Sequence, residues 1–146
     1  MEPGGIYLIL SASTVEYHWE IYVASTPTKG IAHHANNSEG GWRYERRLTD
    51  ELVNSEMLAL ALKVGTVPSP DVHARIDNIL GDPSMISQDE GFRCRKWALD
   101  GVERLRDAGI VDVPYIEVVM DRAYELADGN RSNIELGMGG YVVASM

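Results

Sequence analysis

The chain changes its hydrophobic pattern halfway along its length, and this change limits the folds that it can adopt. The first half contains short runs of β-branched and aromatic residues, of which Ile6–Leu10 and Tyr17–Ala24 are the clearest, and such runs are typical of strands. Residues 27–30, Pro-Thr-Lys-Gly, are turn formers and predict a hairpin that leads into Ile31–Ala35. Because a short hairpin joins neighbouring strands, these segments predict an antiparallel sheet.

Three further segments extend the predicted sheet. Trp42–Leu48 follows a polar loop and predicts a fourth strand. Met57–Val67 alternates leucine or valine with other residues, which favours a strand, although its alanines are also compatible with a helix. Tyr141–Ala144 predicts a short strand at an edge of the sheet. The sheet therefore draws on both ends of the chain.

The second half has the 3.6-residue period of amphipathic helices. Residues 69–71, Ser-Pro-Asp, are suited to a helix start, and residues 81–83, Gly-Asp-Pro, predict its end. Residues 92–109 place small and apolar side chains on one stripe and charged ones on the other, with glycine as the last residue. A third helix is predicted after Asp112 and Pro114.

Composition indicates one domain covering residues 1–146, since this length buries an ordinary core. The net charge of −9, from 22 acidic and 13 basic residues, argues against nucleic acid as a partner. No apolar stretch approaches the roughly 18 residues of a membrane span. A single cysteine excludes an internal disulfide, and the N-terminus lacks the positive region of a signal peptide, so we expect a cytoplasmic protein.

That single cysteine, Cys94, lies at the start of the predicted second helix. A helix N-terminus stabilises a thiolate through its unpaired backbone N–H groups and the helix dipole. Arg93, Arg95 and Lys96 add positive charge beside it. Because the thiolate is the nucleophile, we expect Cys94 to have a lowered pKa and to act as a catalytic nucleophile.

Two histidines on neighbouring predicted strands are candidates for the rest of a cysteine site. His18 is the expected general base, and His33 is expected to lie beside it by hairpin pairing and to orient it. His34 is expected to point to the opposite face of the sheet. The backbone N–H of Cys94 and the hydroxyl of Tyr17 are candidate donors for an oxyanion.

These residues resemble the motifs of a known superfamily. His18–Val23, His-Trp-Glu-Ile-Tyr-Val, followed by Ile31–His33, is similar to the histidine strands of the lecithin:retinol acyltransferase-like enzymes, and Cys94–Asp100 is similar to their cysteine helix. The order of histidine before cysteine also resembles that of the PPPDE-type deSUMOylating peptidases. Residues 5–128 further resemble a group of small fungal proteins that share a Trp-x-Tyr-Glu strand, here Trp42–Glu45.

The resemblance implies an α+β, circularly permuted papain-like (NlpC-type) fold, in which the cysteine helix packs on an antiparallel sheet. It implies Cys94 as the nucleophile, His18 as the base and His33 as the third member. The implied activity is that of a cysteine-dependent hydrolase or acyltransferase on an amide, ester or thioester, including cyclising enzymes of small-molecule biosynthesis. Trp19 and Trp97, the tryptophans of the two motifs, are the expected substrate-binding residues along with Tyr17.

Other interpretations stay open at this point. A non-catalytic binding module that keeps the fold and its groove is the main alternative. Zinc ligation by Cys94 with His18, His33 and His34 is chemically feasible, but no short ligand pair such as Cys-x-x-Cys supports it. We therefore expect no cofactor and no metal, a small-molecule or peptide acyl substrate as the partner, and make no prediction of the oligomeric state.

Overall fold

The computed structural model describes all residues, 1–146, and contains six strands and three α-helices. The strands are β1 (Gly5–Ala12), β2 (Tyr17–Ala24), β3 (Gly30–Asn36), β4 (Arg43–Thr49), β5 (Leu58–Thr66) and β6 (Val142–Ser145). The helices are α1 (Val72–Leu80), α2 (Cys94–Asp107) and α3 (Ile116–Glu135). The α+β prediction is confirmed, and each predicted segment forms the expected element.

All six strands form one sheet, in the order β4-β3-β2-β1-β5-β6. Four of the five neighbouring pairs are antiparallel, but β6 runs parallel to β5. The prediction of a purely antiparallel sheet is therefore wrong at this edge. A parallel neighbour needs a long crossover connection, and the segment between β5 and β6, which contains all three helices, provides it.

Strands β2 and β3 pair over only part of their length. The register joins Ile21 to His33 and Ala24 to Gly30. Toward the other end β2 stays paired with β1 as far as Tyr17, while β3 stays paired with β4 as far as Asn36. The two strands therefore separate there and leave a gap in the middle of the sheet.

The main core lies between one face of the sheet and the helices, and a smaller apolar cluster lies on the other face. Helix α2 packs on β2 and β3. Gly101 permits this contact, because a Cβ atom there would lie 2.7 Å from Ile21 and 2.9 Å from Leu80. None of the helices has the length and apolar character required to cross a bilayer.

Helix α2 begins at Cys94, two residues later than the predicted start at residue 92. Arg93 has an extended backbone at the N-cap position, and the ring of Phe92 packs edge-on against Trp42. Cys94 is therefore the first residue of the helix, and its thiol lies where α2 meets the gap between β2 and β3.

Candidate active site

The thiol of Cys94 lies against the backbone of β2. Its Sγ atom contacts the carbonyl oxygen of Tyr17 at 3.9 Å, and the N–H groups of Trp19, Arg95 and Cys94 itself face the sulfur. These β2 groups are free because β2 has no β3 partner in this stretch. The gap in the sheet thus provides backbone donors for a sulfur that develops negative charge.

Burial nevertheless raises the pKa of the Cys94 thiol above its ordinary value, and the facing N–H groups oppose this rise only in part. The expectation of a lowered pKa is therefore wrong. Desolvation disfavours the charged thiolate more strongly than the helix N-terminus favours it. At neutral pH the resting thiol is protonated, so a reaction at the sulfur requires a base.

Two imidazoles and a carboxylate form a chain of hydrogen bonds on the side of the sheet away from α2. Nε2 of His18 lies 2.9 Å from Nδ1 of His34, and Nε2 of His34 lies 3.0 Å from Oε1 of Glu45. The hydrogen bond from His34 lowers the pKa of Glu45, so this carboxylate is ionised at neutral pH. The three side chains come from the neighbouring strands β2, β3 and β4.

The chemistry of these groups determines which nitrogen carries each proton. An ionised carboxylate only accepts hydrogen bonds, so Nε2 of His34 donates to Glu45 and Nδ1 of His34 is left as an acceptor. His18 must then donate from Nε2, and its Nδ1 keeps a free lone pair. Burial lowers the pKa of His18 to about 4, which keeps the imidazole neutral. Nδ1 of His18 has no hydrogen-bond partner within the protein and is the basic atom of the chain.

His18 and Cys94 line the same cavity of about 260 Å³. Its other walls include Tyr17, Asn36 and Trp42. No hydrogen bond joins the thiol to an imidazole, and the carbonyl of Tyr17 is the acceptor that faces the sulfur. A second cavity of about 200 Å³ on the other side of the thiol is lined by Arg93, Arg95 and neighbouring residues. Cys94 is thus accessible from two cavities.

His33 does not lie beside His18, contrary to the prediction. The register pairs Ile21 with His33, so His33 shares the helix-facing side of the sheet with Ile21 while His34 shares the opposite side with His18. Nδ1 of His33 lies 2.7 Å from the hydroxyl of Tyr44, and the side chain is buried. His34 therefore takes the place that the sequence assigned to His33. This separation also rules out His33 as a zinc ligand together with His18 and His34.

Two of the three predicted substrate-binding residues have other roles in the structure. Trp97 is fully buried and stacks on Tyr44 at 6.0 Å between ring centroids, so it cannot touch a substrate. The hydroxyl of Tyr17 donates its only proton to Asp128 at 2.6 Å and is not a free oxyanion donor. Trp19 is also buried, at 1% exposure, but it contributes to the wall of the second cavity.

Glu20 is a buried acid that sequence reasoning missed. Its side chain is 4% exposed, and Oε1 has no hydrogen-bond partner. This oxygen lies 4.0 Å from Nδ1 of His34 and 3.7 Å from the guanidinium of Arg47. Burial raises the pKa of Glu20. The available signal was its position two residues after His18, because alternate residues of a strand share one face.

The site belongs to an α+β protein with a thiol at a helix N-terminus and a His-His-Glu chain on the adjoining strands. Residues 6–112 match the model of DUF6540, a family of unknown function. This match covers more than half of the chain, and the chain belongs to that family. The matched segment runs from β1 to the end of α2 and contains all the site residues described above. No curated protein and no solved structure matches the chain.

Proposed function

We propose that this protein is a cysteine-dependent acyl-transfer enzyme, with Cys94 as the nucleophile and His18 as the general base. The observation that carries this proposal is the hydrogen-bond chain from His18 through His34 to Glu45. It leaves the lone pair on Nδ1 of His18 free, and His18 and Cys94 are both lining residues of one cavity. A nucleophile, a base and a group that orients the base are the parts of such a site.

In the first step the thiol releases the carbonyl of Tyr17 and transfers its proton to Nδ1 of His18. The sulfur forms a bond to the acyl carbon, and the electron pair of the carbonyl moves to its oxygen. When the pair returns, the bond to the leaving group breaks, and the leaving group takes the proton from His18. The product is a thioester on Cys94.

In the second step water or another acceptor attacks the thioester, and Nδ1 of His18 takes its proton. The bond to sulfur breaks, and Cys94 recovers a proton from His18. Through both steps His34 holds the His18 ring by Nε2, while Glu45 stabilises the positive charge that the imidazole pair carries. Because the thiol is protonated at rest, the mechanism does not start from a thiolate–imidazolium pair. His18 instead removes the thiol proton as the sulfur attacks.

The free backbone N–H groups are the donors that we assign to the developing oxyanion. The amides of Cys94 and Arg95 lie in the first turn of α2, where no helical partner exists, and that of Trp19 lies on the unpaired stretch of β2. They replace the hydroxyl of Tyr17, which binds Asp128. Backbone donors are fixed by the fold and need no reorganisation during the reaction.

The substrate class that fits is a small-molecule or peptide acyl compound, that is, an ester, thioester or amide. The two cavities beside Cys94, about 260 and 200 Å³, suit an acyl group and a leaving group of modest size. Cyclisation within one molecule belongs to the same chemistry. A net charge of −9 disfavours nucleic acid. A thiol nucleophile suits a reducing compartment, so we assign the protein to the cytoplasm.

The fold assignment that accompanies this activity is the circularly permuted papain-like type. The features that support it are the order of the elements, with the histidine strands before the cysteine helix, and the packing of α2 on β2 and β3. His34 replaces His33 as the third member in this proposal. The lecithin:retinol acyltransferase-like enzymes and PPPDE peptidases have asparagine before the cysteine, whereas Arg93 occupies that position here.

The test is acylation of Cys94 by a panel of p-nitrophenyl esters, thioesters and aryl amides, followed by mass spectrometry of the intact protein and its peptides. The wild type should gain one acyl group on Cys94, and Cys94→Ser should gain none. His18→Gln should acylate about 10² to 10⁴ times more slowly, which is the contribution of a positioned base.

The matched control is His73→Gln, because His73 lies on α1 away from the site. It should acylate at the wild-type rate. Equal rates for His18→Gln and His73→Gln would remove His18 from the mechanism. No adduct with any probe, in protein whose circular dichroism shows it folded, would favour the non-catalytic binding module instead.

A further inference from the structure

A buried carboxylate next to the histidine pair has no part in the acyl-transfer mechanism. Oxygen Oε1 of Glu20 is buried and has no hydrogen-bond partner, and the side chain is only 4% exposed. A buried carboxylate without a partner is strongly unfavourable, so buried acids are normally hydrogen-bonded, paired or bound to a metal. The one nearby cation is Arg47, at 3.7 Å on a half-exposed side chain. We therefore expect Oε1 of Glu20 to bind a further partner.

We propose that Glu20, His18 and His34 form a binding site for a divalent transition-metal ion of the zinc class. Each of the three side chains offers a donor atom, and these atoms all lie within 4.8 Å of one another. Nε2 of His18 faces Nδ1 of His34, and Oε1 of Glu20 is the oxygen on the side of His34. Two imidazoles and a carboxylate are donors that zinc and its neighbours prefer.

The distances between the donors lie on either side of the separation that a metal of this size requires. Bonds of about 2.1 Å in a tetrahedral arrangement place neighbouring donor atoms about 3.4 Å apart. The two imidazole nitrogens are 2.9 Å apart, and Nδ1 of His34 is 4.0 Å from the oxygen of Glu20. To bind one ion, the two imidazoles must move apart by about 0.5 Å and the Glu20 side chain must rotate toward His34.

The surroundings of the three donors also suit a metal. Metal-binding histidines usually donate their other N–H to a carboxylate, which fixes the ring and its tautomer. His34 already makes this contact, since its Nε2 lies 3.0 Å from Glu45. His18 lines the 260 Å³ cavity, which leaves room for water or a small ligand as the fourth donor. Glu45 is thus a positioning residue for the metal as well as for the base.

Metal binding and base catalysis exclude each other at this histidine pair. A metal requires lone pairs on both Nε2 of His18 and Nδ1 of His34, so the proton of His18 must move to its Nδ1. That nitrogen then cannot accept the proton of Cys94. The ion would therefore inhibit acylation, but its binding does not involve Cys94, and the two proposals can fail separately.

The test is titration of the full-length protein with zinc chloride by calorimetry and with cobalt chloride by visible absorption. We expect one ion per chain, with cobalt d–d bands and no sulfur-to-cobalt charge-transfer band. Cys94→Ser should bind with unchanged affinity. A thiolate charge-transfer band, or loss of binding in Cys94→Ser, would overturn the assigned ligand set.

The decisive variant is Glu20→Gln, which keeps the side-chain shape and removes a buried charge, so the protein should stay folded. Its zinc dissociation constant should rise about 100-fold, and that of Glu45→Gln about 10-fold. The charge-matched control is Glu56→Gln, at an exposed position, which should match the wild type. Equal affinity of Glu20→Gln and Glu56→Gln, or no binding by the wild type, would refute the metal site.

Discussion

His33 and His34 are neighbours in the sequence but belong to two different environments. His33 faces the helices, and its Nδ1 forms a hydrogen bond of 2.7 Å with the hydroxyl of Tyr44. Tyr44 in turn stacks on the buried ring of Trp97. His34 faces the other side of the sheet, where it joins His18 to Glu45 beside a cavity. One residue of displacement along a strand thus separates a histidine that completes a core from one that can take part in chemistry.

The two histidines also differ in how close the neighbouring carboxylates lie. His33 is 1% exposed, and its nearest carboxylate, Asp77, lies 3.9 Å away. Burial lowers the pKa of His33 to about 4, so it is neutral and held by one hydrogen bond. His34 has Glu45 at 3.0 Å and Glu20 at 4.0 Å. His34 therefore has two carboxylates within 4.0 Å, one of them at hydrogen-bond distance, whereas His33 has only Asp77, at 3.9 Å.

The largest expected effect comes from His34→Ala. Without Nδ1 of His34 the ring of His18 loses its orienting partner, and acylation of Cys94 should slow by about 10²-fold or more. Added imidazole should restore part of the rate, because it can occupy the space and accept the Nε2 proton of His18. Single-turnover acylation followed by mass spectrometry measures both. A folded His34→Ala protein that acylates at the wild-type rate would contradict the proposed base.

His33→Ala should lower the stability of the protein but not its acylation rate, unlike His34→Ala. The variant leaves a cavity and an unpaired Tyr44 hydroxyl in the core, so the free energy of unfolding should fall by about 3 kcal/mol. The acylation rate of the folded fraction should stay near that of the wild type. Urea unfolding, with acylation measured well below the transition, separates the two quantities. A stable His33→Ala protein with slow acylation would reverse the roles that we assign to the two histidines.

Gly101→Ala tests how the helix-facing side holds the nucleophile in place. The added methyl group would lie 2.7 Å from Cδ1 of Ile21 and 2.9 Å from Cδ2 of Leu80, so these buried side chains must shift to admit it. Such overpacking costs about 1 to 3 kcal/mol of stability. Gly129→Ala is the matched control, since nothing lies within 4 Å of a Cβ atom at Gly129 in α3. Thermal unfolding should place Gly101→Ala clearly below both wild type and control.

Glu45→Gln and Asp77→Asn form a smaller, matched pair. In Glu45→Gln the amide oxygen of the new side chain still accepts from Nε2 of His34 but without the charge, a loss of about 1 kcal/mol, or about fivefold in the acylation rate. Asp77→Asn changes a carboxylate near His33 and should leave the rate unchanged. Acylation kinetics of both proteins provide the comparison. Equal slowing in the two variants would show that net charge alone is responsible.

The smallest expected effect is a shift in the pH profile of thiol alkylation. Burial raises the pKa of Cys94, so the thiolate fraction at a given pH is lower in the folded protein than in the unfolded chain. Iodoacetamide should therefore label native Cys94 more slowly at pH 7, and its rate should rise at a higher pH than in urea. If the labelling rate of the native protein rose at a lower pH than that of the unfolded chain, the thiolate would be preformed and the general-base step would be unnecessary.

Much of the fold follows from local patterns in the sequence. The pattern of Tyr17–Ala24 predicts a strand with the bounds that the structure has. The alternation in residues 57–67 favours a strand but leaves a helix possible, and the structure has a strand there, β5. Turn and cap residues correctly bound the first helix. The parallel direction of β6 is not predictable in this way, because it depends on where α3 returns the chain rather than on residues 141–144 themselves.

The candidate site is predictable in part. The sequence indicates Cys94 and His18, and the structure places them on one cavity. Glu20 and Glu45 escape sequence reasoning as site residues, since an acid in a strand usually indicates a solvent-exposed face. The sequence assigns Trp97 to a substrate pocket because it follows Cys94. Its position on α2 instead directs the side chain into the core, where it is fully buried.

The sequence by itself determined which segments become strands and helices, and that a thiol begins a helix downstream of a histidine strand. Only the tertiary structure decided which histidine meets His18. Side chains alternate across a strand, so a shift of one residue in pairing exchanges the faces of a whole strand. The β2–β3 turn sets the pairing of Ile21 with His33, and this register places His34 beside His18 and Glu20 while His33 completes the core.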